Sequence, residues 1–146
     1  MRPNIVIVGF DNQFNRILGK SIADKLDMFF VDVSELVEYN LISSKDALIK
    51  CGQEYIDKEE RKTVMSVAEF ENSVAFIEYD SFVHNYKYFG ENNLIVYVVP
   101  KSVSAIDEIV FEERDKFLKE IADIVVNNDD DNVDNCFKKI VKALKG

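Results

Sequence analysis

Five short apolar runs constrain the fold of this chain more than any other feature: NIVIVG (4–9), MFFVDV (28–33), SVAFIEY (73–79), LIVYVVP (94–100) and DIVVNN (123–128). Each is too short for a core helix and rich in Val, Ile, Phe or Tyr, the residues that suit a pleated, packed surface. Their nearly continuous apolarity predicts burial on both faces, the habit of parallel strands. Parallel strands need long right-handed crossovers, and the intervals between the runs have helical period. Phe14, Leu18, Ile22 and Leu26 fall on every fourth residue, the stripe of a helix packed on a sheet. Residues 44–71 read as helical with a break near Gly52, residues 81–88 as a shorter helix, and Ile106, Val110, Phe117 and Ile121 mark another. A last helix over 133–144, capped by Asn132 or Asp131, turns Val133, Phe137, Ile140, Val141 and Leu144 inward. Its lysines at 138, 139, 142 and 145 suit the negative end of the helix dipole. The alternation predicts one α/β domain over residues 1–146.

Charge removes several function classes. Asp and Glu number 27 against 18 Lys and Arg, for a net charge of −9. Such a field disfavours nucleic acid and anionic membranes. No apolar run approaches the ~20 residues of a membrane span, and the N-terminus lacks a signal-peptide pattern, so the expected location is the cytoplasm. Cys51 and Cys136 lie far apart and outside any CxxC spacing, which predicts two half-buried free thiols in a reducing compartment.

The stretch GFDNQFNRILGK (9–20) follows the first strand and opens a helix, which is where a phosphate-binding loop belongs. Residues 4–34 resemble the N-terminal unit of the shikimate kinases, small enzymes with the P-loop nucleoside-monophosphate-kinase fold. That family reads there as an apolar strand, then G-F-M-G-S-G-K-S-T-x-G-R, then A-x-K-L-x-M-x-F-x-D-x-D. Gly9, Phe10, Gly19, Ala23, Lys25, Leu26, Met28, Phe30 and Asp32 match without a gap. Near the other end, ERDKFLKEIADIVVNND (113–129) is similar to the family's E-R-x-P-x-Y-x-E-x-A-D-x-x-V-x-T, through Glu113, Arg114, Glu120, Ala122, Asp123 and Val126. The resemblance implies a three-layer sandwich: a five-stranded parallel sheet in the order 2-3-1-4-5, flanked by helices. It also implies ATP with Mg²⁺ as the family's cofactor.

Carried over residue by residue, the family's chemistry is largely missing. Only Gly9 survives of the loop glycines; Phe14 stands at the glycine before the lysine, Asn15 at the lysine, and Arg16 and Ile17 at the Ser-Thr pair. The lysine would neutralise the transferring phosphate and the hydroxyl would hold Mg²⁺. Asp11 adds negative charge where phosphates would arrive. At the acceptor site, Ser34 replaces the family's aspartate, Asp57 replaces its first arginine, and the glycine triplet has become Glu78-Tyr79-Asp80, leaving Arg114 alone of the clamp. An aspartate for an arginine reverses the field felt by a carboxylate, so shikimate binding is not expected. The family's arginine-bearing lid is also missing: residues 101–112 contain no arginine and read as one uninterrupted amphipathic helix.

These losses predict a shikimate-kinase-like protein without ATP binding or phosphoryl transfer, working without a cofactor as a binding or regulatory module for a protein partner. The alternative is an active enzyme: a small-molecule kinase with an altered loop, or a hydrolase built on Asp32, Asp57, Glu78 and Asp80. The relic cleft comprises Asp11, Arg16, Asp32, Ser34, Asp57, Glu60, Glu78, Asp80 and Arg114. Within it, Asp11 is expected to cap the first helix, Arg16 to replace a metal as the cation beside Asp32, and Phe14 to fill the phosphate space or pack on the sheet. Arg114 either holds an anion or pairs with Asp57, Glu60 or Asp80. The lone His84 is expected to face solvent or be half-buried. The run NNDDDNVD (127–134) lacks the glycine and the terminal glutamate of a calcium loop and reads as a solvated turn with a helix cap. The aromatics Tyr79, Phe82, Tyr86, Tyr88 and Phe89 form either core or an exposed patch.

Overall fold

The computed structural model describes the backbone of residues 3–42, 45–102 and 108–145, and their side chains outside 42–51. In chain order the elements are β1 (Asn4–Gly9), α1 (Asn12–Leu26), β2 (Phe29–Asp32), α2 (Val33–Ile42), α3 (Lys45–Ala68), β3 (Ser73–Phe76), α4 (Tyr79–Asn85), β4 (Asn93–Val99), α5 (Glu108–Ile121), β5 (Ile124–Asn127) and α6 (Val133–Lys145). The five strands form one sheet in the order β2-β3-β1-β4-β5, and every pairing is parallel. The expected architecture is the observed one.

Alternate strand residues feed two cores. Ile5, Ile7, Val74 and Val96 face α1 and α6, meeting Leu18, Ile22 and Ile140. Val6, Val8, Ala75 and Tyr97 face the other side, against Val37, Val64, Phe82 and Leu118. The expected burial on both faces holds for β1 and β3 throughout. It fails at the sheet edges, where Phe29 of β2 and Val125 of β5 are exposed, because an edge strand has a neighbour on one side only.

Helix α2 is not legible in the sequence, where Val33 belongs to an apolar run. The Asp32 side chain ends that run: its Oδ1 accepts the N–H of Glu35 at 3.2 Å and so starts a helix at Val33. The break near Gly52 is present, with φ +61° inside α3, a conformation that favours glycine. The continuous helix expected over 101–112 is a correction: Lys101 and Ser102 are not helical and α5 starts at Glu108, while 103–107, with Ile106, lie outside the described residues. The inward stripe also differs. Leu118 is buried, Phe117 and Ile121 are half-buried, and Val110 is exposed, because α5 docks through its second half.

A polar contact fixes that docking. The hydroxyl of Tyr97, fully buried in β4, donates to Asp115 Oδ1, and Lys119 Nζ lies 2.9 Å from Asp115 Oδ2. The aromatic cluster is core: Phe82 is buried, and Tyr79, Tyr86 and Phe89 pack against the same cluster, leaving Tyr88 exposed. Cys136 is fully buried beside Asn128, where half-burial was expected, since it sits on the inner face of α6; the Cys51 side chain lies outside the described ones. Among the described residues no helix is long and apolar enough to cross a membrane.

Burial, followed by the bond to Asp115, pushes the Tyr97 hydroxyl well above its ordinary range. The unfolded chain loses that proton near pH ~10 while the folded chain keeps it, so this stability is full below that pH and falls as pH rises further. Tyr97→Phe should cost about 0.5–1.5 kcal/mol at neutral pH and show a shallower decline above pH ~10. Urea denaturation of both proteins at the two pH values measures this.

Candidate functional site

The head of the sheet is organised by where α1 begins. The helix starts at Asn12, three residues after β1 ends, so residues 12–16 are wound helix instead of an open loop. Asp11 holds this start. Its Oδ1 accepts the N–H of Phe14 at 3.1 Å, and its carbonyl accepts the N–H of Asn15 at 2.9 Å. Phe14 turns down into the core with Leu18 and Ile22, as expected for a side chain that packs on the sheet.

One turn on, Arg16 Nε donates to Asp32 Oδ2 at 2.6 Å. The carboxylate side chain is 1% exposed and that of Arg16 is 34% exposed. The guanidinium also lies over the Phe76 ring, 5.2 Å from its centroid. The bond from Asp32, reinforced by the charges of Asp32, Glu35 and Glu78, holds the arginine above its usual range. Asp32 thus serves twice, as the counter-ion of α1 and as the cap of α2. The expected cap and the expected ion pair are both in place.

Asn15 is the most unusual residue of the turn. It is fully buried, and neither its Nδ2 nor its Oδ1 has a hydrogen-bond partner. It packs against Gly9, where an added Cβ would meet Asn15 Nδ2 at 2.6 Å and the Val98 carbonyl at 2.7 Å. Gly9 is therefore needed for close approach, whatever its history as a loop glycine.

These residues do not fit a magnesium–nucleotide group. A phosphate cradle needs a loop whose N–H groups converge on one anion, and here the N–H groups of Phe14 and Asn15 are taken by Asp11. At the expected lysine position is a buried amide, and at the expected hydroxyl position an arginine bonded to Asp32.

Beside the turn, between the ends of β1 and β4 and the first half of α5, lies a cleft of about 590 Å³. Phe10, Pro100, Val110 and Phe111 supply its apolar walls, and Asp11 and Arg114 are among its polar ones. Of the sequence candidates, only Asp11 and Arg114 line it. Arg114 is not paired with Asp57, Glu60 or Asp80; its guanidinium stacks 4.7 Å from the Tyr79 centroid, and no carboxylate of a described residue lies within salt-bridge distance. Burial raises the Tyr79 hydroxyl, and Arg114 works against that shift.

The other candidates are dispersed. Asp57 is exposed and accepts Gln53 Nε2 at 2.8 Å. Glu60 accepts Asn85 Nδ2 at 2.8 Å, a bridge between α3 and α4. Ser34 is half-buried in the first turn of α2, Glu78 precedes α4 without capping it, and Asp80 is exposed. His84 is exposed, its Nδ1 2.7 Å from the Asp80 carbonyl. The 127–134 run is a turn in which Asn132 Oδ1 caps α6 by accepting the Asn135 N–H at 3.0 Å. Among the described residues no group of three or more acidic, histidine or cysteine side chains could hold a metal ion. Sequence pattern does not single out Lys101 or Phe111, since it joins both to one helix.

No protein-family model matches the chain. A shikimate kinase from Sulfurihydrogenibium sp. (strain YO3AOP1) is 35% identical over 72 residues, which are 49% of this chain and 43% of that protein. The match thus spans less than half of that curated relative. The crystal structure of a shikimate kinase from Bacteroides thetaiotaomicron superposes with a TM-score of 0.75 at 20% identity, covering 99% of both chains. A shikimate kinase from Acinetobacter baumannii, solved in complex with shikimate, gives 0.76 at 15% identity over 99% of this chain and 94% of that one. About half of the chain is thus similar in sequence to a shikimate kinase, and its fold is the P-loop kinase-like fold of the shikimate kinase structures.

Two substitutions test the turn. Asp11→Ala should lower stability by about 0.5–2 kcal/mol, the range for a lost N-cap. Asp32→Ala should cost more, about 2–3 kcal/mol, because it removes a cap and strands a partly buried guanidinium; equal melting of parent and both variants would refute the arrangement. Asn15→Leu, of similar shape without the unpartnered amide, should raise stability by about 1 kcal/mol in chemical denaturation. A loss instead would mean that the amide has a partner, such as a buried water.

Proposed function

We propose that this shikimate-kinase-like protein has lost ATP binding and phosphoryl transfer and acts in the cytoplasm as a binding or regulatory module for a protein partner, without a cofactor. The observation that carries the reading is the wound segment 12–16, closed by Asp11 at its head and by the 2.6 Å contact between Arg16 and Asp32. An internal carboxylate takes the Phe14 N–H that an anion would use, and an internal guanidinium takes the acid that would stand near a metal. Releasing both to admit a nucleotide would break a cap and a partly buried ion pair before any binding energy is gained.

The acceptor side supports the same reading. Arg114 is directed onto Tyr79, and Asp57, at the position of a carboxylate-binding arginine, lies exposed on α3. For the alternative of a hydrolase, Asp32 is already bonded to Arg16 and Asp57 to Gln53, so these acids do not form one reactive group. An active kinase would need α1 to unwind over 12–16.

Titration calorimetry of the intact chain with MgATP should give no binding in the micromolar range, and a coupled assay with shikimate should give no turnover. A dissociation constant below roughly 100 micromolar, within the span of ordinary enzyme–substrate affinities, or measurable turnover, would overturn the reading and restore the kinase.

A further inference from the structure

We infer that the cleft beside α5 docks a basic segment of a partner protein, one that carries an aliphatic or aromatic anchor flanked by Lys or Arg; this rests on the binding-module reading above. The first turn of α5 leaves Ile109 77% and Val110 49% exposed. Neither covers any core, and Val110 is also part of the cleft wall. Adjacent exposed branched side chains that continue the apolar wall of a cleft of mixed polar and apolar lining make an apolar patch rimmed by polar groups, a feature of interaction surfaces.

The floor is pre-formed. Phe10 is held by Tyr79, Tyr97 and Phe111, with ring centroids at 5.6, 5.9 and 5.2 Å. Three rings packed around Phe10 keep the cleft from collapsing, and about 590 Å³ accommodates one or two large side chains.

Charge selects the occupant. Glu108, Glu112 and Glu113 are exposed on the same stretch of α5 as Ile109 and Val110, and Asp11 lies at the mouth. None of these four carboxylates forms an ion pair with a described residue. Of the two cations lining the cleft, Lys101 Nζ is 4.0 Å from Asp131 Oδ2, while Arg114 lies over Tyr79 and keeps its charge, so the acidic attraction comes from the α5 rim and the mouth. The whole chain carries −9. A second copy would bring acid against acid, and a nucleotide or anionic lipid would meet the same repulsion. A basic amphipathic segment places its anchor between Val110 and Phe111 and its cations against the glutamates, the groove mode of peptide recognition.

The test uses the full chain and a synthetic twelve-residue peptide of Leu and Phe at helical spacing with Lys and Arg elsewhere. The same peptide with Glu for every Lys and Arg is the control. Fluorescence anisotropy should show binding of the basic peptide that weakens with added salt, and none of the acidic one. Backbone amide shifts in NMR should move at Phe10, Ile109, Val110 and Phe111. The exposed double variant Ile109→Ser with Val110→Ser, which should fold like the parent, should weaken binding about tenfold or more; Glu112→Lys with Glu113→Lys should do the same. Equal binding by these variants, shifts confined to another face, or no binding would overturn the inference. So would concentration-dependent dimerisation abolished by Ile109→Ser with Val110→Ser, which would make the occupant a second copy. MgATP run in the same series separates the two readings. Nucleotide binding defeats the proposed function itself, whereas absence of both ligands defeats only this partner.

Discussion

A helix N-terminus leaves four N–H groups without intrahelical partners, and the whole head of this sheet follows from how α1 meets that requirement. The Asp11 carboxylate takes one of these, the Phe14 N–H, and its carbonyl accepts the first intrahelical bond, from the Asn15 N–H. With this cap supplied from within, the chain can wind at once after β1, and no open loop remains between strand and helix. Winding in turn fixes the side chains: Phe14 goes into the core, Asn15 against Gly9, and Arg16 towards Asp32. The same constraint leaves one debt, the unpartnered Asn15 amide, which the packing around it must offset.

Arg16 and Asp32 extend this local choice across the fold. Asp32 ends β2, so the ion pair ties the first turn of α1 to the edge of the sheet, and its second oxygen starts α2. One carboxylate therefore sets the register of three elements. Because the carboxylate is buried while the guanidinium is one-third exposed, water tempers the attraction without replacing it. The pair matters more for where α1 and α2 point than for the energy that it contributes.

The opposite face of the sheet is governed by Tyr97. Its hydroxyl, inside the core, needs a partner, and Asp115 provides one. That bond seats the second half of α5 with Leu118 inward, and so leaves Ile109 and Val110 projecting beyond the core. The cleft is a consequence of the two anchors together, a helix wound early at β1 and a helix held late at β4.

Local pattern alone determined much of this protein. Five short apolar runs rich in β-branched and aromatic residues gave five strands, doubly covered at β1 and β3 and only partly covered at the edges, and motifs at both ends of the chain gave their order. The contacts of Asp11 and Arg16 with their partners were also legible, because capping needs only neighbours in sequence and the Arg16–Asp32 pair follows from the resemblance. What the sequence could not show is set by contacts between distant elements. Helix α2 was hidden because Val33 continues an apolar run and only the carboxylate of Asp32 breaks it. Arg114 could not be assigned a partner, because the choice between a carboxylate and the face of Tyr79 depends on how α5 sits against the start of α4. The dispersal of Asp57, Glu60 and Asp80 follows from how α3 and α4 pack, and the exposure of Val110 on an otherwise apolar stripe from the docking of α5, since burial depends on which neighbour covers a face and periodicity records only that a face exists.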